Sequence, residues 1–462
     1  MDFTRIDAYI DEHFPRHLAR VQAFVRQPSI SGEGAGMREM AELVAGSIRE
    51  IGGTAEIVDT PGWPVVYGEL DQGAPRTLLL YGMYDVQPVA GEDWLVPPFE
   101  ARVIPFEDRG ECVVGRGVYN TKGPLAGLFS ALESVRTVEG RLPVNLKFMI
   151  EGEEELGSRN LPGFVARYKD RLRADGTYFG FYAQEKTGKP VLWLGVKGIL
   201  FFEMVCRGGA WGGPTVRGIH GSLGALIASP VWRMIHAAHT MTAADERITI
   251  DGIYDTVIPP SAEDERVLAD LARTFDIDME LRENDVLRPK HDATGAALLR
   301  HYLFDPILNI DGLVGGHHGA GTKTLLPHEA RAKMHVRLVP NMEPDDVRAK
   351  ILAHLKTIGC ADFEVRFEEG YPWAKMSPSA PISQAMIRSL RSFGHEPEVW
   401  PNIAGSAPFY LFSRVLSQPF AMGGLGHGGR AHSPNEFATL EGMRLFEKSV
   451  VRFVDEFAAI RE

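Results

Sequence analysis

The order of predicted elements indicates an α/β protein that carries an inserted α+β unit. Short apolar runs such as TLLLY at 77–81 and KFMI at 147–150 are typical of strands buried on both faces. Helical patterns lie between these runs, which predicts a mostly parallel sheet. After Gly198 the pattern changes to alternating strands such as LFFEMVC at 200–206, and a helical pattern at 381–394 marks the return to the first unit.

These changes set the predicted domain boundaries. The α/β domain is discontinuous and covers 1–198 plus 377–462, while the inserted α+β domain covers 199–376. A chain of 462 residues has room for two domains of this size. The first domain begins with an amphipathic helix, because apolar residues such as Ile6, Ile10 and Phe14 recur at helical spacing.

Further elements follow the same reasoning. VLWLGV at 191–196 is a third apolar run of strand length, and Pro124 stands where it fits the first turn of a helix. In the inserted domain we expect helices near 223–240 and 345–357, flanked by alternating strands such as KMHVRLV at 333–339. The chain closes on a long helix that begins at LEGMRLF.

Composition excludes some classes of partner. The net charge of −12 is spread along the chain, which argues against nucleic acid and anionic membranes as partners. No apolar run approaches the roughly 20 residues of a membrane span. The acidic, amphipathic N-terminal segment is not typical of a signal peptide. The three cysteines are far apart, which favours reduced thiols in a cytoplasmic protein.

Four motifs concentrate polar and glycine residues after the predicted strands or in adjoining loops. They are TLLLYGMYDVQP at 77–88, GRGVYNTKG at 115–123, EGEEELGS at 151–158 and HSPNE at 432–436. In α/β sheets, sites form from loops at the carboxyl ends of strands. The set resembles the core motifs of the two-zinc peptidase family that contains carnosinases, aminoacylases and glutamate carboxypeptidases. The resemblance covers nearly the whole chain.

The resemblance implies a zinc-peptidase-like catalytic domain of the α/β class. It also implies that the inserted α+β domain is a lid that carries the dimer contact, so that the protein is a homodimer. The family's substrates are small molecules with a carboxylate, and we expect the same class of partner here.

Three positions that bear metal ligands in the family lack them in this chain. A two-metal hydrolase needs two ions about 3.5–4 Å apart and a bridging carboxylate. The family has His at the position of Met83, the bridging Asp at Asn120 and a further Asp near Phe181. A thioether is a poor zinc ligand and an amide oxygen is neutral. Glu185 is an alternative donor if the local alignment contains a gap.

The second metal position retains part of its ligand set. Glu155 and His432 match family ligands, and Asn120 is a weak third ligand at most. Catalytic zinc usually has three protein ligands and a water. Two predictions therefore stay open, namely one divalent metal, zinc being the expected ion, and none.

The adjacent glutamates are the predicted acid–base groups. Glu154 matches the general base of the family, whereas Glu153 is expected to be an ordinary solvated residue. Paired carboxylates repel, so one pKa is expected to rise. Asp85 supports a metal site in the family, and here it either binds substrate or persists without that role.

The inserted domain contributes the remaining candidate residues. By resemblance, His220 stabilises the oxyanion in the partner's active site, and Arg337 grips a substrate carboxylate together with Gly405 and Ser406. Asn120 is a further candidate for substrate binding.

Two features depart from the family pattern. Asn402 and Ile403 replace its usual Arg and Glu, which puts its dipeptide contacts in doubt. His317 and His318 are either new acid–base groups or ligands, or ordinary residues of a glycine-rich loop.

Three functions are compatible with these observations. The first is hydrolysis of an amide or related C–N bond in a small carboxylated substrate, with one metal or none. The second is a metal-free reaction of another class, such as elimination or acyl transfer. The third is an inactive homologue retained as a binding or assembly subunit. A working pocket is favoured because six family residues are retained, namely Asp85, Glu154, Glu155, His220, Arg337 and His432.

Overall fold

The computed structural model of the chain describes residues 1–185, 187–283, 285–290, 293–368 and 370–461. No helix in this part of the chain is long and apolar enough to cross a membrane. The described chain forms two compact units, which are described separately. The first contains Met1–Gly195, Lys375–Asn402 and Phe409–Glu462, and the second contains Val196–Ala374 and Ile403–Pro408.

The helices are α1 (Phe3–Arg26), α2 (Met37–Glu50), α3 (Lys122–Glu139), α4 (Leu161–Tyr168), α5 (Pro230–Thr240), α6 (Ala262–Leu271), α7 (Ile277–Glu283), α8 (Gly295–Phe304), α9 (Pro344–Thr357), α10 (Pro381–Arg391) and α11 (Leu440–Ala458). The strands are β1 (Thr54–Val58), β2 (Val65–Leu70), β3 (Thr77–Met83), β4 (Arg102–Pro105), β5 (Glu111–Val114), β6 (Asn145–Glu151), β7 (Gly176–Phe179), β8 (Val191–Trp193), β9 (Gly195–Arg207), β10 (Ile219–His220), β11 (Ile307–Gly315), β12 (Leu325–Leu326), β13 (Glu329–Leu338), β14 (Glu364–Phe367), β15 (Ala374–Lys375), β16 (Glu398–Trp400), β17 (Ile403–Ser406), β18 (Phe420–Met422), β19 (Gly428–Gly429) and β20 (Phe437–Thr439).

The first unit is built on a sheet of order β1-β2-β6-β3-β7-β18. The pairs β3–β6, β3–β7 and β7–β18 are parallel, so the carboxyl ends of four neighbouring strands meet at one edge. The middle strands are apolar because both faces are covered. For example, Leu78, Leu80 and Phe148 are fully buried in a core that α1, α3 and α11 also form.

Local sequence explains the principal helices of this unit. In α1, Ile6, Ile10 and Phe14 lie on the buried face, as their spacing predicts, and the Asp2 side chain caps the first turn by accepting the Arg5 N–H. Helix α3 begins at Lys122, so Pro124 lies in its first turn, where no intrahelical donor is needed.

The second unit packs helices on a sheet of order β11-β13-β9-β14. The helical stretch expected near 223–240 forms a helix only from Pro230, because Ser229 caps the helix there and a proline is favourable at its first position. The segment 403–408, assigned to the α/β domain in the sequence analysis, belongs to the second unit instead. The reason is that β17 pairs with β9, with Ile403 opposite Val196.

Candidate active site

The candidate site lies at the carboxyl edge of the first unit's sheet. Strand β6 ends at Glu151 and is followed by a single turn of 3-10 helix over Glu154–Leu156. Strand β3 ends at Met83, and Asp85 comes two residues later. Because Met83 pairs with Glu151 in the register of these parallel strands, the loops that carry the predicted residues start side by side.

Asp85 anchors the glutamate turn. Its carboxylate accepts hydrogen bonds from the backbone N–H groups of Glu154 and Glu155, at 3.2 and 3.0 Å. The residue is fully buried, with 0% of its surface exposed. Burial, followed by the charge of Glu155, raises the pKa of Asp85 to about 7, although hydrogen bonds from Ser31 and the two backbone N–H groups oppose the rise. Asp85 is therefore placed to orient the turn.

Glu155 and His432 form an ion pair, and the Asn120 side chain contacts both residues. His432 Nε2 lies 3.0 Å from Glu155 Oε2, and Asn120 Nδ2 donates to Glu155 Oε1 at 2.9 Å. Asn120 Nδ2 is also 3.0 Å from His432 Nε2. The hydrogen bond to Glu155 is the main cause that raises the pKa of His432. Gln87 adds a further hydrogen bond to Glu155 at 2.8 Å.

Glu154 is the carboxylic acid best placed for proton transfer. It is partly exposed, and burial, followed by the negative charges of Glu155 and Asp85, raises its pKa well above the ordinary value. This outcome agrees with the repulsion expected from paired carboxylates. The expectation for Glu153 was wrong, because only 6% of it is exposed and Asn160 Nδ2 donates to both of its carboxylate oxygens.

Glu436, the last residue of the HSPNE motif, supports the neighbouring loop, although its motif was quoted above without naming this residue as a candidate. Its Oε1 accepts the backbone N–H groups of Tyr119 and Asn120 at 2.9 and 2.8 Å, and its Oε2 accepts that of Gly117 at 3.1 Å. Arg116 donates to the same carboxylate at 3.2 Å. The carboxylate thus holds the loop that presents Asn120. In the sequence, the sign of this role is that Glu436 is the last residue of HSPNE at 432–436.

Met83 and Phe181 lie at the ends of two neighbouring strands. Strand β3 pairs with β7 so that Tyr81 is opposite Phe179, Met83 is the last residue of β3, and Phe181 follows β7 by two residues. Met83 is buried, and the Phe181 ring stacks on Trp193 with the ring centroids 5.4 Å apart. This part of the edge is apolar. Glu185, the alternative donor, accepts a hydrogen bond from Thr187 within its own loop.

These donors do not fit a two-ion centre. Among the described residues, no three His, Cys, Asp or Glu side chains are grouped so that they can hold a metal ion. Glu155 and His432 supply one carboxylate and one imidazole, and Asn120 directs its amide nitrogen toward both of them. Met83 and Phe181 offer no oxygen or nitrogen in their side chains.

In the second unit, the residues predicted to grip a carboxylate lie together. Arg337 Nη1 donates to Ser406 Oγ at 2.7 Å, and Ser406 Oγ donates to the Gly198 carbonyl at 3.1 Å. Arg337 is partly exposed. A Cβ added at Gly405 would approach no neighbouring atom closer than 3.9 Å, so space remains in front of this loop.

The three predicted histidines of the second unit make local contacts. His220 Nδ1 lies 2.7 Å from Ser222 Oγ, and its Nε2 lies 3.1 Å from Thr324 Oγ1. His318 accepts the Gly315 N–H at 3.3 Å, and His317 lies 3.5 Å from the Ala320 carbonyl. The contacts of His317 and His318 with their own loop are those of ordinary loop residues.

The chain is similar in sequence to a known protein family. Residues 79–456 match the model of peptidase family M20/M25/M40. The chain belongs to this family. The predictions of the family and of the α/β fold class are therefore confirmed. The prediction of a dipeptidase-like hydrolase is confirmed at the level of the family and its named relatives.

One curated relative and one solved structure cover nearly the whole chain, and another relative covers about two thirds of it. A Cys-Gly metallodipeptidase of Schizosaccharomyces pombe is 26% identical, covering 100% of this chain and 99% of the relative. A Beta-Ala-His dipeptidase of Rattus norvegicus is 29% identical over 69% of this chain and 65% of the relative. The structure of an M20 family metallo-carboxypeptidase from Sulfolobus solfataricus is 30% identical, with a TM-score of 0.88, covering 96% of this chain and 99% of that one.

Proposed function

We propose that this M20 family member hydrolyses an amide bond in a small, carboxylated, dipeptide-like substrate. The observation that carries the proposal is the glutamate turn after β6, in which Asp85 holds the backbone of Glu154 and Glu155. A carboxylate held in this way next to a partly exposed edge suits general acid–base work. The dipeptidases among the relatives support a dipeptide-like substrate.

In this proposal Glu154 takes a proton from the attacking water and then gives it to the leaving amine. Asp85 is a positioning residue, because its buried carboxylate is occupied by the two backbone N–H groups of the turn. Asn120 faces Glu155 and His432 and is available to hydrogen-bond the substrate after a small rotation of its amide. Glu436 maintains the position of Asn120.

The second unit supplies substrate recognition in the same proposal. Arg337, backed by Ser406, binds the substrate carboxylate with its planar guanidinium group, and the open space at Gly405 admits it. His220 stabilises the oxyanion. We propose that it does so in the site of a partner subunit, with the second units forming the contact of a homodimer. Exposed apolar side chains there, such as Leu226 and Trp232, support a protein contact.

The proposal requires no metal ion. It allows at most one divalent cation, with zinc the best candidate, at Glu155 and His432. The relatives named as dipeptidases support hydrolysis over elimination, acyl transfer or simple binding. All three cysteines are buried and unpaired, which supports a cytoplasmic location.

The test is an activity screen with a matched pair of variants. The purified protein is assayed against dipeptides and N-acyl amino acids, with amine release as the readout. We expect Glu154→Gln to lower kcat by about a hundredfold or more, because the amide cannot carry the proton. Glu42→Gln, which alters an exposed glutamate on α2, should leave kcat unchanged. Full activity in Glu154→Gln, or failure to cleave any amide in the panel, would contradict the proposal.

A further inference from the structure

A group of aromatic side chains borders the candidate site within the first unit. We call Phe179, Phe181 and Trp193, with Tyr81 and Phe409 behind them, the aromatic wall. Phe181 stacks on Trp193 at 5.4 Å with an interplanar angle of 17°. Phe179 lies 5.4 Å from Phe181, 5.4 Å from Tyr81 and 5.9 Å from Phe409. The five rings therefore form one contacting cluster.

One side of the aromatic wall is buried in the core, and the other side, which we call its front, is partly exposed. Tyr81 and Phe409 are each 2% exposed, so they belong to the core. Phe179, Phe181 and Trp193 are partly exposed. The exposed front therefore retains ring surface that another apolar group can cover.

The wall is continuous with the glutamate turn. The Tyr81 hydroxyl donates to Glu151 Oε1 at 2.7 Å, and Glu151 is the last residue of the strand that leads to Glu154. Burial, followed by the charges of Glu151 and Glu154, raises the pKa of Tyr81. Across the carboxyl ends of neighbouring strands, the carboxylates that follow β6 are thus succeeded by buried Met83 at the end of β3 and by Phe179 at the end of β7.

We propose that the aromatic wall is a substrate subsite for a planar apolar group adjacent to the scissile amide. The inference rests on the proposed function and narrows its substrate class to amides that carry an aromatic ring, such as aromatic acyl groups or aromatic amino acids. A flat ring is favoured over an aliphatic one because it can stack on Phe181 and Trp193 with offset geometry. No charged side chain belongs to the wall itself.

The first experiment measures binding without turnover. Benzoate, cyclohexanecarboxylate, acetate and butylammonium are titrated into the full-length protein, with tryptophan fluorescence and calorimetry as readouts. We expect benzoate to bind at least about tenfold more tightly than cyclohexanecarboxylate or acetate. Equal affinity for benzoate and cyclohexanecarboxylate would overturn the proposal, as would preferred binding of butylammonium, which would indicate a cation site.

Substitutions test whether the aromatic wall causes the preference for benzoate. Phe181→Leu keeps an apolar side chain but removes the stacking ring, and Trp193→Leu tests the other member of the pair. Each substitution should reduce the preference for benzoate over cyclohexanecarboxylate about tenfold. The melting temperature of each variant is measured to verify that it is folded. Tyr9→Leu is the matched control, because Tyr9 is a partly exposed ring stacked on His13 in α1. Unchanged benzoate preference in both wall variants would overturn the assignment.

A parallel kinetic comparison separates this inference from the proposed function. N-benzoylglycine should show a kcat/KM at least about tenfold above that of N-acetylglycine. Hydrolysis of both at equal efficiency would refute the subsite and leave the hydrolase proposal intact. Tight benzoate binding without cleavage of any amide would refute the hydrolase proposal and leave the subsite intact.

Discussion

His432 and Glu155 satisfy each other in this structure, with Nε2 3.0 Å from Oε2. The hydrogen bond to Glu155 is the main cause that raises the pKa of His432. The pair is closed by Asn120, which donates to Glu155 and contacts His432. His432 and Asn120 thus both contact the Glu155 carboxylate at the carboxyl ends of the strands.

The first prediction concerns metal content. Any bound ion should be single and should be lost on His432→Ala, because Glu155 and His432 are the donors that remain together. Elemental analysis and calorimetry with zinc and manganese provide the measurement. Two ions about 3.5–4 Å apart in an anomalous map would contradict the prediction.

The second prediction concerns the three positions at which the resemblance to the family implies metal ligands. Met83→His, Asn120→Asp and Phe181→Asp together should raise metal stoichiometry toward two, because they supply a bridging carboxylate and two further donors at neighbouring strand ends. Each single change should fail, since it completes only a fraction of one ion's ligand set. Two tightly bound ions after one substitution would show that the ligands have been paired incorrectly.

The third prediction concerns recognition of the carboxylate. Arg337→Ala should reduce kcat/KM for a cleaved dipeptide by roughly tenfold to a thousandfold, through the loss of a charge-assisted bond. The kcat/KM for the same dipeptide with a C-terminal amide in place of the carboxylate should fall much less. Arg331→Ala, on the same strand and paired with Glu329, serves as the control and should change neither value. Equal losses of kcat/KM for the acid and the amide would show that Arg337 does not bind the substrate carboxylate.

The fourth prediction is a change in the pH dependence of stability. Burial raises the pKa of Glu151 from 4.5 to about 8, with further increases from Asp85 and Glu153, and hydrogen bonds from Tyr81 and Ser158 oppose the shift. The folded state therefore binds this proton more tightly than the unfolded state. The contribution to stability is complete below pH 4.5 and is lost as the pH rises through about 8.

Glu151→Gln tests this linkage, because the amide oxygen can still accept the two hydrogen bonds and cannot ionise. Denaturant unfolding from pH 5 to 9 should show a smaller loss of stability with pH in this variant. Glu42→Gln, at an exposed position, should follow the parent protein. An unchanged slope in Glu151→Gln would mean that this carboxyl does not hold its proton in the folded state.

Sequence reasoning was most successful where the signal is local. The periodicity of α1 and the first-turn proline of α3 correspond directly to the observed helices. It was less successful where the signal is a distant contact. Glu153 was expected in solvent, yet Asn160 and the surrounding chain bury it. Likewise, segment 403–408 joins the second unit through pairing with a strand that lies about two hundred residues earlier in the chain.

By itself, the sequence determined the family and the chemical types available at the strand ends, including Met83, Asn120 and Phe181 where charged ligands are expected. It did so because motif spacing and side-chain type are properties of the local chain. Only the tertiary structure decided what these residues do to one another. Asn120 meets His432 across 312 positions, and Phe181 stacks on Trp193. Such contacts depend on the packing of distant segments, which no local pattern specifies.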